Sequence, residues 1–506
     1  MGIMLSPGVA TVEKDYSTYV AQVSTTILGM VGGAIKGPLN EPVYISSPDQ
    51  FLRVFGEPIT DSLATYSALQ FLQEGNQLWY VRIGNTTVKS SVTIMDTEVI
   101  PVELLEITAL SEGTWGNDIS VSVSATETDG LIFKLDVYYK GFLVESYLCS
   151  LDTSTNNYVD DMVVDSQYID VDDLQMGAGI GITQNTTDTD GNLILSKLSG
   201  GDNGLSAITS TDVIGISGKG LQIFKNTEAI DINILTAPAK SALGAVAKEM
   251  LAICESRGDC LAIIDTPMGF TPQDAVDWHD GTGSGEDDPT SALNSSYGAI
   301  YYPWLQISDP YTSSKIWLPP SGFVSAQMSY NDRVSNPWFA PAGLNRGRII
   351  RANDVEYSCN KGDRDLLYGN GNRVNPIVKF SGDGIVIWGQ KTLQAKPSAT
   401  DRVNVRRLLL MIRKAIAAST RYVTFDPNDE FLWNEWKGMV NPYLDSLKSS
   451  RAFYEYQLEM GLGSTMTTTD IDQNKLIGRV SVQPTKSAEF IFIDFILTAT
   501  GAEFPE

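Results

Sequence analysis

Residues 401–433 read DRVNVRRLLLMIRKAIAASTRYVTFDPNDEFLW. Val405, Leu408, Leu409, Ile412 and Ile416 recur at i, i+3, i+4, i+7 and i+11, which puts them on one face of an amphipathic helix. Asp401 stands where an N-cap belongs, and Arg402, Arg406, Arg407, Arg413 and Lys414 take the remaining positions. Arg421 to Phe425 alternates and is β-branched and aromatic, which predicts a strand. Pro427-Asn428-Asp429-Glu430 then opens a second helix, with Asn428 as its cap and two acids in its first turn. Helix, strand and capped helix together describe many folds.

Size and charge bound the rest. A chain of 506 residues, 42% apolar and 19% charged, is globular and long enough for three or four domains. Its formal net charge of −25 argues against nucleic acid as a partner, because phosphate binding needs a basic footprint. There is no run of 18 apolar residues, and Met1–Ala10 has no charged region followed by an apolar one. Neither membrane insertion nor a signal peptide is expected, and a cytoplasm is the expected place of assembly. Cys149, Cys254, Cys260 and Cys359 fall into no zinc-like or redox spacing and read as reduced core thiols. A single histidine, His279, leaves few groups that titrate near neutrality.

Outward from the opening stretch, the composition changes several times. Residues 1–25 carry too little apolar surface to fold alone and read either as a disordered end or as an extended arm. From Thr26, Ile27–Val31 and Val43–Ile45 predict strands and Pro48–Phe55 a helix closed by Gly56; Asp61–Glu74 predicts a helix and Leu78–Ile83 a strand. Neither GMVGGAIKG nor Gly215–Gly220 has the spacing of a phosphate-binding loop. Residues 91–210 hold 20 Asp and Glu against 3 Lys, in short alternating runs such as Ile119–Val123 and Leu131–Tyr139, the pattern of a β-sandwich. Asp188-Thr-Asp190-Gly-Asn192 begins like a calcium loop, but its twelfth position is Ser199, so a solvated turn is expected. Residues 211–380 read as α/β. Ile230–Leu235 and Cys260–Ile264 are strands joined through a helix over Ser241–Arg257, which favours a parallel crossover. Asp265 and His279 follow in the order of a subtilisin-type triad, without a nucleophile element after them. Beyond Trp433 the second helix continues across Pro442, which should kink it. The chain ends on Phe490, Ile491, Phe492, Ile493, Phe495 and Ile496, a strand apolar on both faces that belongs either inside its own domain or to a neighbour.

Several of these stretches are more specific than their secondary structure. VNVRRLLLMIRKAI followed by RYVTFDPNDEFLW resembles the C-terminal domain of contractile tail sheath proteins, found in contractile bacteriophage tails, pyocin-like particles and related injection machines. So do Pro7-Gly8-Val9, the run from Gly33 to Gly56 with its Gly37-Pro38 turn, Gly113–Asn117, Leu198–Gly204, Pro319–Ala342 and Gly382–Leu393. Asn336 and Leu344 depart from the usual Gly and Asn, and Lys391 replaces the common Arg.

The resemblance implies a multi-domain α/β fold. Its central core would be subtilisin-like without a catalytic triad (residues 211–380), preceded by a first core segment (26–90) and an outward-facing inserted β-sandwich (91–210). An α+β C-terminal domain (381–487) would face an inner tube. An N-terminal arm (1–25; Pro7, Gly8, Val9, Val12) and a C-terminal arm (488–506; Phe490, Ile491, Phe492, Ile493, Phe495, Ile496) would be exchanged between subunits. Between Lys391 and Arg421 there are eight Lys or Arg against one acid. That cluster, with Arg402, Arg406, Arg407, Arg413 and Lys414, reads either as a solvated helix face or as a basic patch on the tube. The expected function is structural: helical assembly around the tube, then contraction from a metastable state that drives the tube through a host envelope. Expected partners are further copies of the chain, the inner tube protein, and baseplate and tail terminator proteins. No cofactor, metal or enzymatic activity is expected. The alternatives are the sheath of a non-phage injection system and an α/β hydrolase.

Overall fold

Runs too apolar to alternate, such as Leu261–Asp265 (LAIID) and Gly298–Tyr302 (GAIYY), can only be strands covered on both faces, and every residue of both is buried. The computed structural model describes residues 24–95, 102–125, 132–174, 195–369 and 371–491. The chain opens with β1 (Leu28–Gly32), β2 (Pro42–Ile45), α1 (Pro48–Phe55), α2 (Leu63–Leu72) and β3 (Leu78–Arg82). An all-β stretch follows: β4 (Ser91–Met95), β5 (Glu103–Ala109), β6 (Ile119–Ala125), β7 (Ile132–Tyr139), β8 (Phe142–Ser150), the short α3 (Val159–Val163), β9 (Ile169–Asp173) and β10 (Ser196–Lys197). The α/β pattern then resumes with α4 (Ser210–Ile214), β11 (Ile234–Thr236), α5 (Gly244–Arg257), β12 (Leu261–Asp265), α6 (Pro272–Asp280) and β13 (Gly298–Tyr302). Next come β14 (Leu305–Ser308), β15 (Lys315–Leu318), α7 (Pro320–Val334), α8 (Gly343–Arg346), β16 (Arg348–Ile349), β17 (Asp354–Val355), α9 (Lys361–Tyr368), β18 (Val374–Phe380) and β19 (Gly384–Ile387). The last elements are α10 (Val403–Thr420), α11 (Glu430–Ser449), β20 (Phe453–Met460), α12 (Thr468–Asp472) and β21 (Gly478–Pro484).

These elements form two bodies. Among the described residues, the first comprises 24–337 and 341–403, the second 338–340 and 404–491. At the centre of the first is a nine-stranded sheet, ordered β16-β19-β18-β13-β12-β11-β1-β3-β2. The six strands from β18 to β3 are parallel, and β2, β19 and β16 add antiparallel edges. The order of the parallel strands is that of a doubly wound sheet whose direction reverses between β1 and β11. Leu235, Ala262, Ile264, Ile300 and Tyr302 share a core with Val246, Met250, Ile253, Trp278 and Leu367 from α5, α6 and α9. The alternate residues Ile234, Leu261, Ile263, Ala299 and Tyr301 are equally buried and point the other way, towards the layer of α2 and α7. Close approach there needs small residues. A Cβ at Gly322 of α7 would lie 2.8 Å from the Ser67 side chain of α2, and one at Gly32 would lie 2.1 Å from Ala64.

The segments before and after the acidic insertion thus build one sheet. The expected crossover is present, with Ile234 beside Leu261 in parallel register. The boundaries move, however: β11 begins at Ile234 instead of Ile230, and Ser241 sits in a short turn of 3₁₀ helix before α5 starts at Gly244. β19, placed by sequence in the C-terminal domain, pairs with β18 in the central sheet. The insertion consists of two antiparallel sheets, β10-β6-β7-β8 and β4-β5-β9, around a single apolar core that includes Leu105, Ile107, Val121, Phe133, Leu135 and Val171. The calcium-like run from Asp188 to Asn192 lies outside the described residues.

In the second body, Val405, Leu408 and Ile412 are buried as their period predicts, and Leu409 and Ile416 half-buried. Leu408, Ile412 and Ile416 meet Trp433, Trp436, Val440 and Leu444 of α11 and Phe453 and Met460 of β20 in one core. Three local expectations are corrected. Arg421–Phe425 is not a strand: α10 runs to Thr420, a 3₁₀ turn covers Arg421–Val423, and among the described residues no strand lies alongside to satisfy the β-branched pattern. Asp401 does not cap α10, which starts two residues later; its carboxylate pairs with Arg402 at 3.1 Å. Asp429, not Asn428, caps α11, accepting the Leu432 N–H at 3.0 Å. The helix runs on through Pro442.

Candidate assembly surface

A two-stranded sheet is marginal alone, so the surroundings of β20 and β21 matter. The strands pair in antiparallel register from Met460–Gly478 to Glu455–Gln483, with an irregularity between Phe453 and Glu455. Tyr456, Leu458, Val480 and Val482 turn inward onto the α11 core, while Tyr454, Glu455, Gln457 and Arg479 are exposed. Among the described residues neither strand has a second partner, so each has one open edge of backbone N–H and C=O groups. Beside β21 runs a groove of about 390 Å³, lined by Leu409, Ile412 and Ile416 of α10, Trp436 of α11, and Val480 and Val482. An open edge next to an apolar groove is what an extended segment with alternating apolar side chains needs in order to dock.

The predicted site residues map onto this surface unevenly. Phe490 and Ile491 are described, lie outside any strand and are exposed. Pro7, Gly8, Val9 and Val12 of the N-terminal arm, and Phe492, Ile493, Phe495 and Ile496 of the C-terminal arm, lie outside the described residues. Of the basic residues on α10, Arg413 is exposed and lines the groove, and Arg402 and Lys414 are half-buried. Arg406 and Arg407 are buried, so the five cations do not share one solvated stripe. Sequence reasoning missed β20, although FYEYQLEM alternates and is rich in aromatics, a readable strand signal.

The hydrolase alternative can be weighed at the carboxyl end of β12. Asp265 is fully buried there and accepts hydrogen bonds from the Ser241 and Ser321 hydroxyls (3.0 and 2.8 Å) and from the Ser321 and Ala239 backbone N–H groups (2.7 and 3.1 Å). Burial pushes its pKa up to about 6 against the pull of those donors. His279, on α6, faces Asp280 at 2.7 Å, its other ring nitrogen is buried without a partner, and burial lowers its pKa. The two residues are engaged separately, and neither lines the nearby cavity of about 620 Å³. That cavity has an apolar wall of Phe270, Met268 and Trp304 and an acidic rim including Asp277 and Asp287. No group of His, Cys, Asp and Glu among the described residues is placed to hold a metal ion.

The family described as phage tail sheath protein central domain matches residues 216–393, and the phage tail sheath C-terminal domain matches residues 395–498. The tail sheath protein of Vibrio phage KVP40 is 30% identical over 319 residues, covering 60% of this chain and 45% of that protein. The tail sheath protein of Enterobacteria phage T4 is 30% identical over 322 residues, covering 61% and 48%. The matches thus span about half the length of these relatives. Among solved structures, the sheath tail protein from Listeria innocua superposes with a TM-score of 0.61 at 14% identity, over 93% of this chain and 94% of that one. The sheath of an extracellular contractile injection system, PVC, in its contracted state gives a TM-score of 0.57 at 15% identity, over 98% of each chain. The mixed α/β architecture with several sheets is therefore one that sheath structures share.

Proposed function

Because this chain belongs to the contractile tail sheath family, we propose that it is a structural subunit that polymerises helically around an inner tube and shortens from a metastable extended state to drive that tube through a host envelope. The observation that carries the proposal is the two-stranded β20–β21 sheet, with both outer edges open among the described residues and an apolar groove beside it. Strand addition at such edges joins subunits through main-chain hydrogen bonds, which hold largely independently of side chains. The donors in this reading are the arms: Pro7, Gly8, Val9 and Val12 at one end, and Phe490 through Ile496 at the other. A mesh tied by strands survives rotation of the bodies it connects, and contacts between two different patches repeat without closing, as a helix requires.

The finer assignments belong to the same proposal. Residues 91–210 form an outward-facing sandwich, supported by their acidic composition and shared core. The central body is a subtilisin-like layout without a working triad, supported by the separate engagement of Asp265 and His279. The basic side of α10, expected from Arg402, Arg406, Arg407, Arg413 and Lys414, faces an acidic tube. Of these Arg413 is the exposed member. Partners are further copies of the chain, the tube protein, and baseplate and terminator proteins, without nucleic acid contact, membrane insertion or cofactor. The chain is no enzyme, it assembles in a host cytoplasm, and its place is the tail of a virion. A pyocin-like or secretion-type particle is the second reading, favoured by the fold shared with the PVC sheath.

Electron microscopy of the purified chain, full length and lacking residues 488–506, tests this. Striated hollow cylinders from the full chain and monomers from the truncation are expected. Monomers or closed rings from both, at every salt concentration, would sink it.

A further inference from the structure

One surface of the C-terminal body is unused by strand exchange. Residues 421–429, joining α10 to α11, and the first turn of α11 carry three aromatic rings in solvent: Tyr422 is 87% exposed, Phe425 101% and Phe431 77%. The loop is nevertheless held in place. Asn428 donates to the Lys475 carbonyl at 2.9 Å and accepts the Trp433 indole N–H at 2.8 Å, and Asp429 caps α11. Phe425 has φ of 80°, a backbone region that a bulky residue enters at roughly 1–3 kcal/mol. A ring held outward on a strained backbone gains nothing in an isolated chain, and aromatic rings presented this way are typical anchors of interfaces. Around them the tip is acidic, with Asp426, Asp429 and Glu430 against Arg421.

The central body carries a counterpart of matching size and sign. Between α7 and the segment from Leu344 to Arg351 lies a groove of about 160 Å³, walled by Phe323, Tyr330, Leu344, Ile349 and Ile350. An apolar cavity of about 150 Å³ takes one benzene ring. Ile350 stands 84% exposed at the mouth. The rim is basic: Arg348 and Arg351 line it and are exposed, and Glu74 is the one carboxylate among the described lining residues. Glu74 is already drawn to Arg333 at 2.5 Å and lies 3.8 Å from Arg351.

We propose that Phe425 of one copy of this chain inserts into that groove on a second copy, with Asp426 and Glu430 facing Arg348 and Arg351. This rests on the sheath reading and adds a side-chain contact to its strand links. Ring burial supplies most of the grip, and the rim charges set register and make it salt-sensitive. Because tip and groove are different patches, the contact propagates without closing.

The test is photo-cross-linking of polymerised full-length chain carrying Phe425→p-benzoylphenylalanine, read by peptide mass spectrometry. Intermolecular adducts within residues 323–351 are expected. Cylinders whose adducts fall on another segment, or on added tube protein, would overturn the docking and leave the sheath reading intact. Failure of the unaltered chain to form cylinders would remove both. As a second arm, Arg348→Glu with Arg351→Glu should cut sedimenting polymer about tenfold, with monomer melting unchanged. Adding Asp426→Lys and Glu430→Lys should restore it, and absence of restoration would overturn the proposed pairing.

Discussion

Asp265 closes β12 without solvent contact, and two hydroxyls and two backbone N–H groups converge on its carboxylate. Its folded pKa of about 6 lies above the ordinary unfolded value of about 3.9, so the folded state takes up the proton more readily. The stability this contributes is therefore complete below about pH 4 and is lost as pH rises through about 6. Asp265→Asn cannot titrate, and it also turns an amide N–H₂ towards the Ala239 N–H. We expect its deficit in unfolding free energy to be greatest at pH 4 and to shrink by about 2–3 kcal/mol at pH 7, read from denaturant melts at the two values. A deficit that stays constant would mean that the carboxyl is ionised throughout. The sequence showed Asp265 at the end of a strand but not this role. Ser241 and Ser321 stand 24 and 56 residues from it, and only the parallel sheet and the start of α7 bring them together.

At the scale of single elements, the buried face of α10 was legible because a helical period depends only on neighbours along the chain. The fate of its cations was not. Arg406 and Arg407 occupy positions that the period alone leaves to solvent, yet they are buried, whereas Arg413 is exposed. Arg406→Ala and Arg407→Ala should each lower the melting temperature, by an amount corresponding to about 1–3 kcal/mol, because they empty packed space that the buried side chains fill. Arg413→Ala should leave melting within about 0.5 kcal/mol and instead weaken any salt-dependent association with a tube. Equal losses for all three in thermal melts would contradict this division. The expected strand at Arg421–Phe425 failed for the opposite reason: strand propensity takes effect only beside another strand, and pairing is a long-range fact. β20 obeyed the same rule, and its partner β21 begins 18 residues after it ends.

Over the whole molecule, the central sheet is assembled from both sides of an interruption of more than a hundred residues. β1 pairs with β3 on one side and with β11 on the other, so strands adjacent in space are far apart in sequence. Each strand could be read singly from its apolar run, but their joint order could not, because nothing local records which run lies beside which. The same geometry governs how the interruption leaves and returns. The Asn85 N–H donates to the Gly204 carbonyl at 2.9 Å, and Val88 and Ser91 bridge to Asp202 and Ser199. Gly204 has φ of 64°, and a Cβ there would lie 2.1 Å from the Asn85 carbonyl oxygen, so the two backbones can lie this close only with glycine.

Removing residues 88–202 and bridging the ends with a short turn should therefore leave a chain that still folds. Its circular dichroism should lose the β-rich part, and its melting should fall modestly because Ile35 and Gly37 lose their contacts with the insertion. Loss of all cooperative melting would show that the insertion is part of the core's folding unit. If the core does stand alone, this junction is a socket, and any compact cargo whose own ends lie a hydrogen bond apart could be plugged into it. Were these chains to assemble into the proposed helical sheath, it would display that cargo once per subunit, at a spacing set by its helix.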